Sequence, residues 1–216
     1  MIKSRYDQYN LLISKISILN SRLNEYTESI LEIVGKLNKN TNQQYYLEID
    51  LEAFPEFKDI PSLILDINNA LYYNSLVLYI DSVLEHSLKM ICQYISDNEL
   101  SKGKFNDFDN EIFKSCCKYI EGTELISFKD NDLAKQYNPI CKVIKLRNLI
   151  THNNCNIIRD KSIPINKQPN YKLLYSDKRL TISETGQIYI KDVNYINSFI
   201  TSQNQFLGEI LKKIKT

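Results

Sequence analysis

The chain has 216 residues, of which 43% are apolar, and this is enough for one domain with a substantial hydrophobic core. Its 27 basic and 26 acidic residues nearly cancel, which excludes a diffuse attraction to nucleic acid, so RNA binding would have to use a local patch. Five glycines and five prolines are too few for a turn-rich all-β fold.

The first predicted element is a long helix over residues 1–40. Its apolar residues recur in alternating steps of three and four, at positions 9, 12, 16, 19, 23, 26, 30, 33 and 37. We expect this stripe to pack into the core, and binding of a partner protein is the less favoured alternative. Residues 38–60 lose the period and predict an irregular connection.

The second predicted helix runs from about Pro61 to about Ser96. It is apolar on most faces, which favours a central, buried position, and its polar stripe is Asp81, Glu85 and Lys89. A shorter helix is predicted over residues 109–121, with Gly122 as its stop signal.

The third long helix is predicted over residues 138–153, because Asn138 can cap it and Pro139 suits the first helical position. Residues 165–191 then change character. Apolar and polar residues alternate at 171–175, 180–183 and 187–190, which predicts a small hairpin or a three-stranded meander. A last helix is predicted over 192–215.

These elements together predict a single domain spanning 1–216: an all-α bundle with a small β-hairpin or meander insertion before the last helix. The first residues lack the apolar run of a secretory signal, and no stretch of eighteen apolar residues occurs. We therefore expect a cytoplasmic protein that makes no contact with a membrane.

The five cysteines lie at positions 92, 116, 117, 141 and 155. Their odd number and the absence of a C-x-x-C pair favour reduced core thiols over a disulfide scaffold or a zinc ribbon. A metal site built from Cys141, His152 and Cys155 is disfavoured because a second ligand pair is lacking. We expect no metal and no cofactor.

The segment Lys145–His152, KLRNLITH, places an arginine, an amide and one of the two histidines at the end of the third long helix. Metal-independent RNA cleavage needs a deprotonated 2′-hydroxyl, a stabilised phosphorane and a protonated 5′-oxygen. Histidine suits the proton steps because imidazole titrates near neutral pH, and the planar arginine guanidinium can hold the phosphorane through two parallel hydrogen bonds. We expect Arg147 and His152 to be catalytic and Asn148, Lys145 and Asn153 to bind substrate.

One ideal helix does not bring the two catalytic candidates together. At about 100° per residue, Asn148 and His152 share a face, whereas Arg147 and His152 lie roughly 140° apart. Convergence requires a bent arginine, a distorted helix or a second copy of the motif across a two-fold axis.

The spacing Arg-Asn-x-x-x-His resembles the signature of the HEPN superfamily of helical domains. The resemblance implies a ribonuclease used as a toxin or antiphage effector, a homodimer whose two motifs meet, and Arg147 and His152 as the essential pair. It also implies an antitoxin or defence-system partner, and Glu85 as an acidic residue recruited from another helix. The chain has Asn154 where such toxins often carry a modifiable tyrosine.

Two other readings of the sequence stay open. In one, the chain is a non-catalytic HEPN-like module that binds nucleotide, RNA or protein. In the other, it is a helical assembly protein, Arg147 is a surface charge, and His152 caps the helix end, where the dipole favours a cation. His86 is expected to have a structural or surface role.

Overall fold

The computed structural model describes residues 4–48, 60–100, 103–106, 111–129 and 131–215. The elements in chain order are α1 (Arg5–Glu48), α2 (Ile60–Asp97), α3 (Ile112–Glu121), α4 (Asn131–Asn153), a 3₁₀ turn (Ile165–Lys167), α5 (Tyr171–Tyr175), β1 (Leu180–Ile182), β2 (Ile188–Ile190) and α6 (Asn194–Ile214). The predicted fold class, helical with a small hairpin before the last helix, is confirmed.

The chain divides into two compact units. The first unit comprises Met1–Leu23, Tyr79–Val143 and Ser198–Thr216, and the second comprises Asn24–Leu78 and Ile144–Asn197. Within the described residues, no helix combines the length and the apolar character that a membrane crossing requires.

An aromatic cluster lies in the core of the first unit. The ring of Tyr137 stacks on Phe128, with centroids 5.2 Å apart, and on Phe113, at 5.6 Å. Phe206 from α6 is fully buried and lies 5.4 Å from Phe128. Because aromatic pairs add to the free energy gained from burial alone, this cluster stabilises the packing of α3, α4 and α6.

The hairpin anchors the second unit. Its strands pair antiparallel, with Leu180 opposite Ile190 and Ile182 opposite Ile188. Asn156, just after α4, forms a further antiparallel bridge with Gln187. The segment that follows α4 is therefore bound to the hairpin.

Residues 171–175 are not a strand, as the alternation predicted, but the short helix α5. Tyr171 and Tyr175 stack with centroids 5.1 Å apart, and Leu174 is buried. Apolar residues at positions 171, 174 and 175 fit one helical turn as well as a strand. Tyr171 and Tyr175 are four positions apart, and side chains at this spacing are neighbours on the surface of a helix.

Two predicted boundaries were also wrong. Helix α1 continues to Glu48, because residues 38–48 contain no glycine or proline and the loss of an apolar period is not a stop signal. The rest of the predicted connection, 49–59, lies outside the described residues. Helix α4 begins at Asn131, with Pro139 in its interior, and Leu133 and Ile140 are buried on either side of the proline.

The predicted stripe of α1 is confirmed only in its first half. Tyr9, Leu12, Ile16 and Leu23 are buried, but Tyr26 and Ile33 are exposed. Burial instead follows an eleven-residue spacing, shown by Leu12, Leu23 and Val34. A straight helix has 3.6 residues per turn, so a stripe spaced at 3.5 drifts out of the core over several heptads.

Candidate functional site

The candidate site lies on the last two turns of α4, in the second unit. Leu146 and Leu149 are fully buried and fix the inner face of the helix. The outer face carries Lys145, Thr151 and His152, which are exposed. The buried leucines therefore orient the motif toward solvent.

Helix α4 ends in an irregular turn that holds the motif in place. The N–H of Cys155 donates to the carbonyl oxygen of Leu149, at 2.9 Å, and Asn154 and Cys155 both have positive φ angles, of 49° and 57°. The amide nitrogen of Asn153 donates to the carbonyl oxygens of Asn156 and Ile158. Asn153 therefore holds the turn, and its expected contact with substrate stays a prediction.

Arg147 and Asn148 are in direct contact. The Arg147 guanidinium donates to the side-chain oxygen of Asn148, at 3.1 Å, and both residues are half-buried. Asn148 shares a helix face with His152, four positions later. The hydrogen bond thus draws the guanidinium around the helix, toward the face that carries the histidine.

His152 lies in the last turn of α4 and is exposed. A cation at this end of a helix is favoured by the helix dipole, so the position is compatible both with a proton-transfer group and with a simple capping residue. The hydroxyl of Thr151 donates to the carbonyl oxygen of Arg147, at 2.9 Å. This hydrogen bond lies within α4, from the side chain of Thr151 to the backbone one turn earlier.

Three further residues named from the sequence are Lys145, Glu85 and His86. Lys145 is exposed on the outer face of α4, as a substrate-binding cation should be. Glu85 belongs to the first unit, whereas the motif belongs to the second, and its supporting role stays a prediction. His86 is exposed on α2, which agrees with a surface role.

A groove of about 620 Å³ adjoins the end of α4 in the second unit. Six of its lining residues are Asn74 and Ser75 from α2, Ile150 from α4, Asn154 directly after α4, and Gln187 and Tyr189 from the hairpin. Sequence reasoning missed this groove because the three segments are far apart in the chain. The hairpin is held at the helix end by the bridge between Asn156 and Gln187 and by further backbone hydrogen bonds, from Ile157 to Gly186 and from Ile188 to Cys155, which no local pattern encodes.

The cysteines form no disulfide, and four of the five are buried, as expected of core thiols. The Cys155 thiol lies 3.7 Å from the side-chain oxygen of Asn74 and 3.4 Å from the carbonyl oxygen of Ile188. Burial raises the pKa of this thiol to about 11. No group of three His, Cys, Asp or Glu side chains in the described part of the chain could hold a metal ion.

No family model, curated protein or solved structure matches this chain significantly. The resemblance of the Arg-Asn-x-x-x-His spacing to HEPN domains therefore stays a prediction from the sequence.

Proposed function

We propose that the chain is a metal-independent endoribonuclease of the HEPN kind that acts as a homodimer. The observation that supports the proposal is the hydrogen bond from Arg147 to Asn148, both half-buried, on the helix end that carries the exposed His152. A guanidinium, an amide and an imidazole are the groups that metal-independent RNA cleavage uses.

In the proposed mechanism, the 2′-oxygen attacks the adjacent phosphorus while a neutral His152 imidazole takes its proton. The Arg147 guanidinium binds the charged phosphorane through parallel hydrogen bonds, and Asn148 orients the guanidinium. The bond to the 5′-oxygen then breaks, and a protonated imidazole supplies the proton that this oxygen needs. The products are a 2′,3′-cyclic phosphate and a 5′-hydroxyl.

The dimer follows from the number of groups that the reaction uses. One imidazole must be neutral and another protonated in the same turnover, yet each copy has a single histidine in its motif. A two-fold axis beside the exposed face of α4 would bring two copies of Arg147 and His152 into one cleft. The site would then be incomplete without the partner copy.

The biological role proposed is that of a cytoplasmic toxin or antiphage defence effector, held in check by a partner protein. Lys145, Arg159 and Lys161 are exposed cations in the second unit. A group of this size suits a short single-stranded or looped RNA better than a long duplex.

A non-catalytic binding module is the second candidate, and one observation favours it. Ile150 lines the groove, and His152 lies two positions later, on roughly the opposite side of α4. A ligand in the groove could therefore be bound without contacting the histidine.

Incubation of the pure protein with total RNA in excess EDTA separates the candidates. The nuclease predicts discrete fragments that accumulate with time. A binding module predicts intact RNA together with a shift of the RNA on a native gel, and an assembly protein predicts neither. Intact RNA over a range of pH and protein concentration contradicts the proposed function.

A further inference from the structure

The groove beside α4 has the chemistry of a nucleobase site. We propose that it binds one unpaired base of the RNA, next to the phosphate held by Arg147, and thereby sets the base preference of cleavage. This inference rests on the proposed function, because it assigns a substrate contact to the same site.

The groove lining mixes apolar side chains with neutral polar ones. Among the described residues that line it there is no Lys, Arg, Asp or Glu, whereas three side-chain amides, Asn74, Asn154 and Gln187, and the ring of Tyr189 are present. A phosphate or a carboxylate ligand would require positively charged side chains to bind it. A neutral, planar group edged with hydrogen-bond donors and acceptors fits the lining, and a nucleobase is such a group.

The amides retain hydrogen-bonding capacity. The Asn74 side-chain oxygen accepts from Cys155, which leaves its NH₂ group outside that contact. The Gln187 NH₂ group donates to the carbonyl oxygen of Asn154, at 3.0 Å, and its own oxygen takes no part in that bond. The groove therefore offers at least one donor and one acceptor, and the edge of a base needs both.

The ring of Tyr189 supplies the stacking surface. It belongs to β2, between the buried residues Ile188 and Ile190, and it is half-buried. Leu71 and Leu78 extend the apolar part of the lining. Stacking on an aromatic side chain is the usual way in which proteins hold an unpaired base, and the volume of about 620 Å³ lies in the range of small-molecule sites.

The position of the groove connects it to the motif. Ile150 lies three residues after Arg147, and Asn154 and Cys155, which also line the groove, follow directly after the motif. A nucleotide with its base in the groove would have its phosphate near this end of α4. The arginine would then bind the backbone, while the groove distinguishes the bases.

The test measures binding, so it does not depend on cleavage. The probes are four homopolymeric 2′-O-methyl RNA hexamers, which lack the attacking hydroxyl, and fluorescence anisotropy gives their dissociation constants. The wild type should bind one of the four most tightly. Tyr189→Leu and Leu71→Glu should each weaken that binding by roughly tenfold or more, about the loss of one stacking contact, and reduce the difference between bases.

Matched controls come from exposed residues outside the groove. Tyr6 is 68% exposed and Leu125 is 43% exposed, so Tyr6→Leu and Leu125→Glu should bind as the wild type does. Leu71 is 65% exposed, so Leu71→Glu should fold even if Tyr189→Leu does not. Circular dichroism verifies folding in each case.

The outcomes distinguish the groove from the nuclease. Equal binding of the four probes by the wild type, or unchanged binding in Leu71→Glu, overturns the groove proposal even if the protein cleaves RNA. A groove-dependent base preference in a protein that cleaves no RNA supports the base site and overturns the nuclease. Cleavage that follows the same base preference supports both.

Discussion

Asn148 lies between the two candidate catalytic residues on α4 and contacts one of them, Arg147. The side-chain oxygen of Asn148 accepts a hydrogen bond from the Arg147 guanidinium, at 3.1 Å. Asn148 also shares a helix face with His152, four positions later. In the proposed mechanism, the guanidinium held there binds phosphate through parallel hydrogen bonds.

His152→Ala should abolish RNA cleavage and leave the fold intact. The residue is exposed at the helix end, and a positioned proton-transfer group contributes about 10²–10⁴-fold in rate. Initial rates on a labelled RNA measure the effect. The control is His86→Ala, which removes the other exposed histidine and should keep full activity. Equal rates for the two variants, with matching circular dichroism, would remove His152 from the mechanism.

Arg147→Lys should be nearly as inactive as Arg147→Ala. An ammonium group keeps the charge, but it cannot make two parallel hydrogen bonds to one phosphate. The exposed Arg22 provides the control, since Arg22→Lys should not change the rate. A lysine variant with most of the wild-type rate would show that charge alone suffices at position 147.

At the scale of elements, the turn between β1 and β2 contacts the segment that follows α4. Gly186 has a φ angle of 81°, and a Cβ built there would lie 2.6 Å from a side-chain carbon of Ile158 and 2.7 Å from the side-chain oxygen of Asn156. The carbonyl oxygen of Gly186 also accepts the N–H of Ile157. Only glycine lets the two segments approach this closely.

Gly186→Ala should therefore lower the free energy of unfolding by about 2 kcal/mol or more, through backbone strain and steric overlap. Gly35→Ala is the matched control, because Gly35 lies inside α1 and an added Cβ there meets no atom within 4 Å. That control should raise the stability by about 0.5–1 kcal/mol. Urea unfolding measures both, and a neutral Gly186→Ala would contradict the close approach.

The sequence predicted the helices and the two hairpin strands because each depends on local periodicity. The positions of Arg147, Asn148 and His152 on one helix end followed from the same local information. The groove could not be predicted from local information, because it depends on the pairing of Gln187 with Asn156, which are far apart in the chain. Tyr171 and Tyr175 were misassigned because five residues carry too little pattern to separate a strand from one helical turn.

At the scale of the whole molecule, buried thiols and phenols make stability sensitive to alkaline pH. Burial raises the pKa of Cys155 from its usual 9.0 to about 11, and burial also raises the pKa values of Cys117 and Tyr195. These groups ionise more readily in the unfolded chain. The contribution of Cys155 is fully present below about pH 9 and is lost as the pH rises to about 11.

The free energy of unfolding should therefore fall between pH 9 and 11, and Cys155→Ala should reduce the fall. The share of a single thiol is on the order of 1–3 kcal/mol. Urea unfolding at pH 8 and at pH 10.5 compares the two proteins. If the variant loses as much stability as the wild type, ionisation of Cys155 does not contribute to the loss.

A shared site also predicts that one inactive copy silences its partner. If one cleft needs both His152 imidazoles, a mixed dimer of wild type and His152→Ala has only one and should not cleave. Random mixing in equal amounts would then leave about a quarter of the dimers active, so the rate should be about a quarter of that given by the same total amount of wild type. Unfolding and refolding the two proteins together, followed by a rate measurement, tests this. Half of the wild-type rate, despite mixed dimers in native mass spectrometry, would show that each copy acts alone.

The chemistry of the cleaved ends tests the central claim most directly. Wild-type protein and His152→Ala are each incubated with RNA in excess EDTA, and the 3′ ends of the fragments are analysed by mass spectrometry. The proposed mechanism predicts 2′,3′-cyclic phosphates with the wild type and intact RNA with the variant. Fragments that end in 3′-hydroxyls, cleavage that stops in EDTA, or equal cleavage by His152→Ala would contradict the roles given to Arg147 and His152.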